Sequence, residues 1–228
     1  MKKLLPLLIL LFAGSIFGQN NWDLVWTLNQ KPFIEGKTDS EMARVKAGYD
    51  TDQDGWGEFL CAWTDKEVNY ILMYEASADN TYDLVWYWQY PLAANSFAGI
   101  AVGDLDNNGK VEIITSMPTI VTGGSPDRVW FFEWSGNEGE NMYGTGELGD
   151  ITPTRSWNFG VEDDTDLRPY GLTVEDIDND GEMELIAGVR SGGRGGEVIV
   201  TSVRGGELFG FGSFNIEFNF QQTFGGSL

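Results

Sequence analysis

Three short stretches carry side chains able to hold a metal ion. Tyr49–Phe59 reads YDTDQDGWGEF, Gly103–Ile113 reads GDLDNNGKVEI and Glu175–Leu185 reads EDIDNDGEMEL. Each contains Asp-x-Asp-x-(Asp/Asn)-Gly-x-x-Glu, opening at Asp50, Asp104 and Asp176. The donors are all oxygens, which suits a hard cation. Calcium takes six to eight oxygens at about 2.3–2.6 Å. In a tight loop the side chains at positions 1, 3 and 5 turn inward, glycine at position 6 permits the sharp bend, and the carbonyl of position 7 and the carboxylate of position 9 close the shell. The expected ligands are Asp50, Asp52, Asp54 and Glu58 with the carbonyl of Trp56; Asp104, Asp106, Asn108 and Glu112 with the carbonyl of Lys110; and Asp176, Asp178, Asp180 and Glu184 with the carbonyl of Glu182. About three calcium ions are expected, one per loop.

An EF-hand opens the same way but needs a bidentate glutamate at position 12 and flanking helices. Position 12 here is Cys61, Thr115 and Ala187, and the flanks read as strands. Aspartate, asparagine and glycine also make ordinary turns that bind nothing. Three copies in register, each with the same ninth-position glutamate, favour a metal. Without one, carboxylates so close repel one another.

The sequence contains no histidine, which removes Ser-His-Asp and Cys-His catalysis and histidine-ligated zinc. Its single cysteine, Cys61, sits among apolar neighbours and reads as a buried structural thiol. The net charge is −21, with 35 acidic and 14 basic residues, so the surface repels nucleic acid and attracts cations. No catalytic constellation emerges, and the expectation is a protein that is not an enzyme.

The loops must be held by strands. FAGIAVGD and YGLTVED precede the second and third loops, and EFLCAW, EIITSM and ELIAGV follow the three loops. A third set reads NYILMYEA, RVWFFEWS and GEVIVTSV, and a fourth DLVWYWQY, RSWNFG and SFNIEFNF. The early stretch WDLVWTL resembles a fourth strand without its own unit, and a weak helical period falls on Thr38 to Ala47. Four antiparallel strands per repeat is the pattern of a β-propeller blade. The fold expected is all-β, with about three blades over residues 40–90, 95–160 and 168–220, a partial propeller. The first aspartates are 54 and 72 residues apart, and the longer spacing is explained by a Gly-, Glu- and Asn-rich insertion at Gly136–Thr154. Trp86, Trp88, Trp130 and Trp134 alternate along strands, which points to packing between blades rather than to exposed sugar-stacking platforms. Asp163, Asp164 and Asp166 form a further acidic cluster that lacks the glycine and the ninth-position glutamate and reads as a solvated loop. Ahead of the repeats, Lys2 and Lys3, the apolar run Leu4–Phe12 and the small residues to Gly18 have the layout of a cleaved secretory signal over residues 1–18. Residues 19–228 are then the mature, exported repeat region, secreted or held at the cell surface, with no membrane insertion.

The stretches AVGDLDNNGKVEIITSMP and TVEDIDNDGEMELIAGV resemble FG-GAP/VCBS repeats, the calcium-loop blades of integrin α-subunit propellers and of many exported bacterial proteins. The resemblance covers most of residues 22–220 and is specific at the loops. It implies calcium-stabilised blades, seven or eight of them in full-length relatives. The first copy departs from the pattern with the bulky Trp56, and the second carries Asn108 in place of aspartate. The function this implies is adhesion or binding of an extracellular protein or carbohydrate. The alternatives are the propeller part of a polysaccharide-degrading lyase or hydrolase, or a structural spacer in a larger surface protein.

Overall fold

The structure, a computed structural model, describes residues 24–28, 41–64, 68–91, 94, 96–117, 127–160, 167–192, 195–203 and 214–221. The leader 1–18 and the cluster Asp163, Asp164 and Asp166 lie outside the described residues. Every element among the described residues is a strand.

The strands form three four-stranded antiparallel sheets, each a meander in chain order. The first holds β1 (Glu41–Tyr49), β2 (Glu58–Thr64), β3 (Asn69–Ala78) and β4 (Thr81–Gln89). The second holds β5 (Gly99–Gly103), β6 (Glu112–Ser116), β7 (Val129–Glu133) and β10 (Arg155–Trp157). The third holds β11 (Pro169–Glu175), β12 (Glu184–Val189), β13 (Glu197–Val203) and β14 (Phe214–Gln221). These are propeller blades. Between β7 and β10 a hairpin of β8 (Thr145–Glu147) and β9 (Asp150–Thr152) stands apart from the three sheets. The insertion is therefore ordered structure.

β2 and β6 are apolar on both faces because both faces are largely buried, whereas β12 buries one face and leaves the other, at Ile186 and Gly188, half-buried. Along β2, Leu60 and Ala62 join the core shared with the second blade, while Cys61 and Trp63 face the opposite side. Along β6, Ile113 turns to the first blade and Ile114 to the third. Along β7, Trp130 and Phe132 turn one way, Val129 and Phe131 the other. The tryptophans fill the first seam: Trp86 meets Phe132 edge-on at 5.3 Å, and Trp88 lies 5.4 Å from Trp130. Cys61 is buried, and that burial pushes its thiol pKa up to about 12.

Blades two and three meet most closely between their first strands. Ser116 Oγ donates to the Pro169 carbonyl at 3.0 Å. A Cβ built on Gly103 would lie 2.6 Å from Val174 Cγ1, so β5 and β11 need glycine at that contact.

Two expectations change. The weak helical period at Thr38–Ala47 yields to β1 from Glu41 onward; residues 38–40 lie outside the described residues. Bulges between Ala43 and Val45 and between Ala47 and Tyr49 break the two-residue alternation, and Arg44 and Gly48 there have φ of 58° and 97°. The WDLVWTL stretch, described from Leu24 to Leu28, lies in none of the strands. Its Trp26 instead packs on Phe59, Tyr74 and Tyr82, with ring centroids 5.3–5.8 Å apart.

Candidate metal centre

Each acidic loop joins the first and second strands of its blade. The last ladder pairs before the loops are Tyr49 with Glu58, Gly103 with Glu112 and Glu175 with Glu184. The ninth-position glutamate is therefore the first residue of the second strand. Its carboxylate turns back under the loop, where the N–H of position 2 donates to Oε2: Thr51 to Glu58 at 2.7 Å, Leu105 to Glu112 at 2.7 Å and Ile177 to Glu184 at 2.9 Å.

The remaining carboxylates fold the loop around themselves in the same way three times. The glycine N–H of position 6 donates to Oδ2 of position 1: Gly55 to Asp50 at 3.2 Å, Gly109 to Asp104 at 2.8 Å and Gly181 to Asp176 at 3.1 Å. The N–H of position 5 donates to Oδ1 of position 3, from Asp54 to Asp52, Asn108 to Asp106 and Asp180 to Asp178. The N–H of position 7 donates to Oδ1 of position 5, from Trp56 to Asp54 at 2.7 Å, Lys110 to Asn108 at 2.8 Å and Glu182 to Asp180 at 2.8 Å. The glycines of position 6 have φ of 92°, 87° and 95°. Position 4 is left-handed too, with Gln53, Asn107 and Asn179 at 62°, 56° and 63°.

The result is three convergent sets of oxygens. One oxygen from each of Asp50, Asp52, Asp54 and Glu58 lies within 4.8 Å of the others, and the same holds for Asp104, Asp106 and Glu112 and for Asp176, Asp178 and Glu184. Asp180 lies outside the third group. Asn108 turns its amide nitrogen to Glu133 Oε2 at 3.0 Å. Trp56, Lys110 and Glu182 are placed by their N–H bonds to position 5.

The ninth-position glutamates show what these sets lack. Glu58, Glu112 and Glu184 are 2 %, 0 % and 0 % exposed. In all three, Oε1 is buried without a hydrogen-bond partner, as is Asp176 Oδ1. A buried carboxylate oxygen with no partner carries a desolvation cost that a cation would offset. Burial pushes the Glu58 pKa up to about 7 and that of Glu112 up to about 9, and raises that of Glu184. Asp52 rises to about 6, first through burial and then through the neighbouring charges of Asp54 and Glu75. An all-oxygen donor set with buried, unpaired carboxylate oxygens fits a hard divalent cation such as calcium.

Residues outside the motif also reach these sites. Glu75 and Glu133 pair across the sheet with Glu58 and Glu112, and Ser202 takes that place beside Glu184. Glu133 receives both Asn108 and the Lys110 ammonium, at 3.2 Å. Asn141 reaches Glu75 and Asp52 from the insertion. The second and third loops touch directly, Asn107 Nδ2 donating to the Gly181 carbonyl at 2.7 Å. Glu75 and Glu133 follow the ninth-position glutamate by 17 and 21 residues, so no fixed spacing announces them.

Residues 50–115 match the family described as an FG-GAP-like repeat, a stretch running from the first acidic loop through the second. The chain thus carries an FG-GAP-like repeat there, and the third loop repeats the Asp-x-Asp-x-(Asp/Asn)-Gly-x-x-Glu pattern and its hydrogen bonds. No curated protein and no solved structure matches the chain.

Proposed function

We propose that this chain is a calcium-stabilised, non-catalytic repeat module that works outside the cell, where it binds a protein or carbohydrate ligand. The observation that carries the reading is the threefold recurrence of a buried, unpartnered glutamate Oε1 within a set of converging carboxylates. The ions would be held by Asp50, Asp52, Asp54 and Glu58; by Asp104, Asp106, Asn108 and Glu112; and by Asp176, Asp178, Asp180 and Glu184, with the carbonyls of Trp56, Lys110 and Glu182. A bound ion neutralises charge that would otherwise push each loop apart and fixes the hairpin joining the first two strands of its blade.

The FG-GAP-like match supports calcium and a surface role, since the repeats it resembles are calcium-loop blades of exported proteins. The leader's basic, apolar and small-residue order supports export. No helix among the described residues is long and apolar enough to cross a membrane. The absence of histidine supports a non-catalytic role, as does the use of the acids with raised pKa to shape loops. The strongly acidic surface disfavours nucleic acid as the ligand. Equilibrium dialysis against calcium tests the reading: about three ions should be retained per chain, and retention of none would overturn it.

A further inference from the structure

The insertion between β7 and β10 reaches the first acidic loop at three residues, Gly139, Asn141 and Tyr143. The Gly139 N–H donates to the Asp52 carbonyl at 2.9 Å. Asn141 Nδ2 donates to Asp52 Oδ2 at 3.0 Å and to Glu75 Oε2 at 2.6 Å. The Tyr143 hydroxyl pairs with Thr51 Oγ1. All three contact the first loop, Gly139 from a turn where its φ is 75°. The segment is held from behind by packing: Tyr143 is fully buried against Trp86, whose indole N–H donates to the Tyr143 carbonyl at 3.3 Å, and Trp88 Nε1 donates to the Ile151 carbonyl at 3.1 Å. The first seam of the core thus anchors the insertion at Tyr143 and Ile151.

The second loop shows what Asn141 supplies. There Glu133, opposite the ninth-position glutamate, is held by Asn108 and Lys110 of its own loop. In the first loop Asp54 stands where Asn108 does, and an ionised carboxylate has no proton to donate. The donor comes from the neighbouring blade, and one amide holds two like-charged carboxylates together.

We infer that Asn141 is a positioning residue of the first cation site, fixing Asp52 for the ion so that ion binding at this loop and seating of residues 139–143 reinforce each other. The inference rests on the calcium reading above. It rests on more than clustered acids, because Glu58, in the same group, is buried and its Oε1 has no partner. Outer-shell groups that orient ligands typically change metal affinity by about 10–100-fold when removed. By linkage, whatever the insertion adds to ion affinity the ion returns to the insertion.

The test is a calorimetric calcium titration of the full chain and of Asn141→Ala, with Asn137→Ala as a control, since the Asn137 side chain bonds Glu140 within the insertion. Asn141→Ala should weaken one class of site by roughly tenfold or more and leave the others at parental affinity; Asn137→Ala should change none. A reciprocal readout is hydrogen exchange at the Gly139 amide: calcium should slow it in the parent and in Asp104→Ala but not in Asp50→Ala. That comparison decides the matter if Asn141→Ala fails to fold. Parental affinity at every site of Asn141→Ala, equal weakening of all sites, or Gly139 exchange indifferent to calcium would overturn the inference while leaving the proposed function standing. A parent chain that binds no calcium overturns both.

Discussion

The backbone N–H of Leu105 donates to Glu112 Oε2 at 2.7 Å, seven residues along the chain, and leaves Glu112 Oε1 buried without a partner. The bond closes the loop between β5 and β6 and at the same time fixes one oxygen for an ion. Thr51 with Glu58 and Ile177 with Glu184 repeat the relationship.

Glu112→Gln should therefore separate the two roles. The amide keeps the shape and removes the charge. In chelator the variant should melt at or slightly above the parent at neutral pH, because a buried acid that resists ionisation is gone. In calcium the parent's gain should shrink by the increment of one site, about 1.4 kcal/mol at a calcium concentration tenfold above the dissociation constant. Differential scanning calorimetry in both conditions reads the difference.

The carboxylates also set a pH dependence. Burial raises the folded-state pKa values of Glu58 and Glu112 to about 7 and about 9, above the usual glutamate value of 4.5. A raised carboxylate contributes stability that is fully present below its unfolded pKa and is lost as pH rises through the folded value. Metal-free protein should lose stability between pH 5 and pH 9. Calcium, which binds the ionised form, should remove or reverse the loss. Urea midpoints at pH 5, 7 and 9 test this, and a Glu58→Gln, Glu112→Gln double variant should flatten the metal-free profile.

Much of this was legible in the sequence, and the exceptions have physical causes. The strands were readable because EFLCAW and EIITSM are largely buried on both faces and ELIAGV buries one face and half-buries the other. The loops were readable because all their carboxylates fall within nine residues. The first strand was obscured by two bulges within nine residues, which shift its alternation away from two. Asn141 was invisible because its partner Asp52 lies 89 residues away and only the seam between blades brings them together. Glu75 and Glu133 depend on strand register, and the connections after β2 and β6 differ in length.

Position 4 of the loops gives a prediction that needs no metal. Gln53 holds φ of 62°, a region that costs a residue with a Cβ roughly 1–2 kcal/mol and that asparagine enters more readily. Asn107 and Asn179 already have the suitable side chain. Gln53→Asn should stabilise the chain by up to about 1 kcal/mol. Asn107→Gln should destabilise it by at least as much, since it also endangers the bond to the Gly181 carbonyl. Chelator-phase denaturation of both variants measures the effect.

At the second seam, Gly103→Ala would place its new methyl 2.6 Å from Val174 Cγ1 and 2.9 Å from Val174 Cβ. Overpacking of this kind costs about 1–3 kcal/mol. Val174→Ala removes the Cγ1 obstruction, so the double variant should recover part of the loss relative to the sum of the single changes. Strict additivity would contradict the close approach of β5 and β11.

The most direct test of the central claim is a thermal melt of the full chain in calcium, in magnesium and in chelator. Three oxygen-lined loops with buried, unpartnered carboxylate oxygens predict a melting temperature several degrees higher in millimolar calcium than in chelator, with a smaller gain in magnesium, which demands tighter octahedral geometry. Coincident melts in all three conditions would contradict the account and reduce the loops to acidic turns.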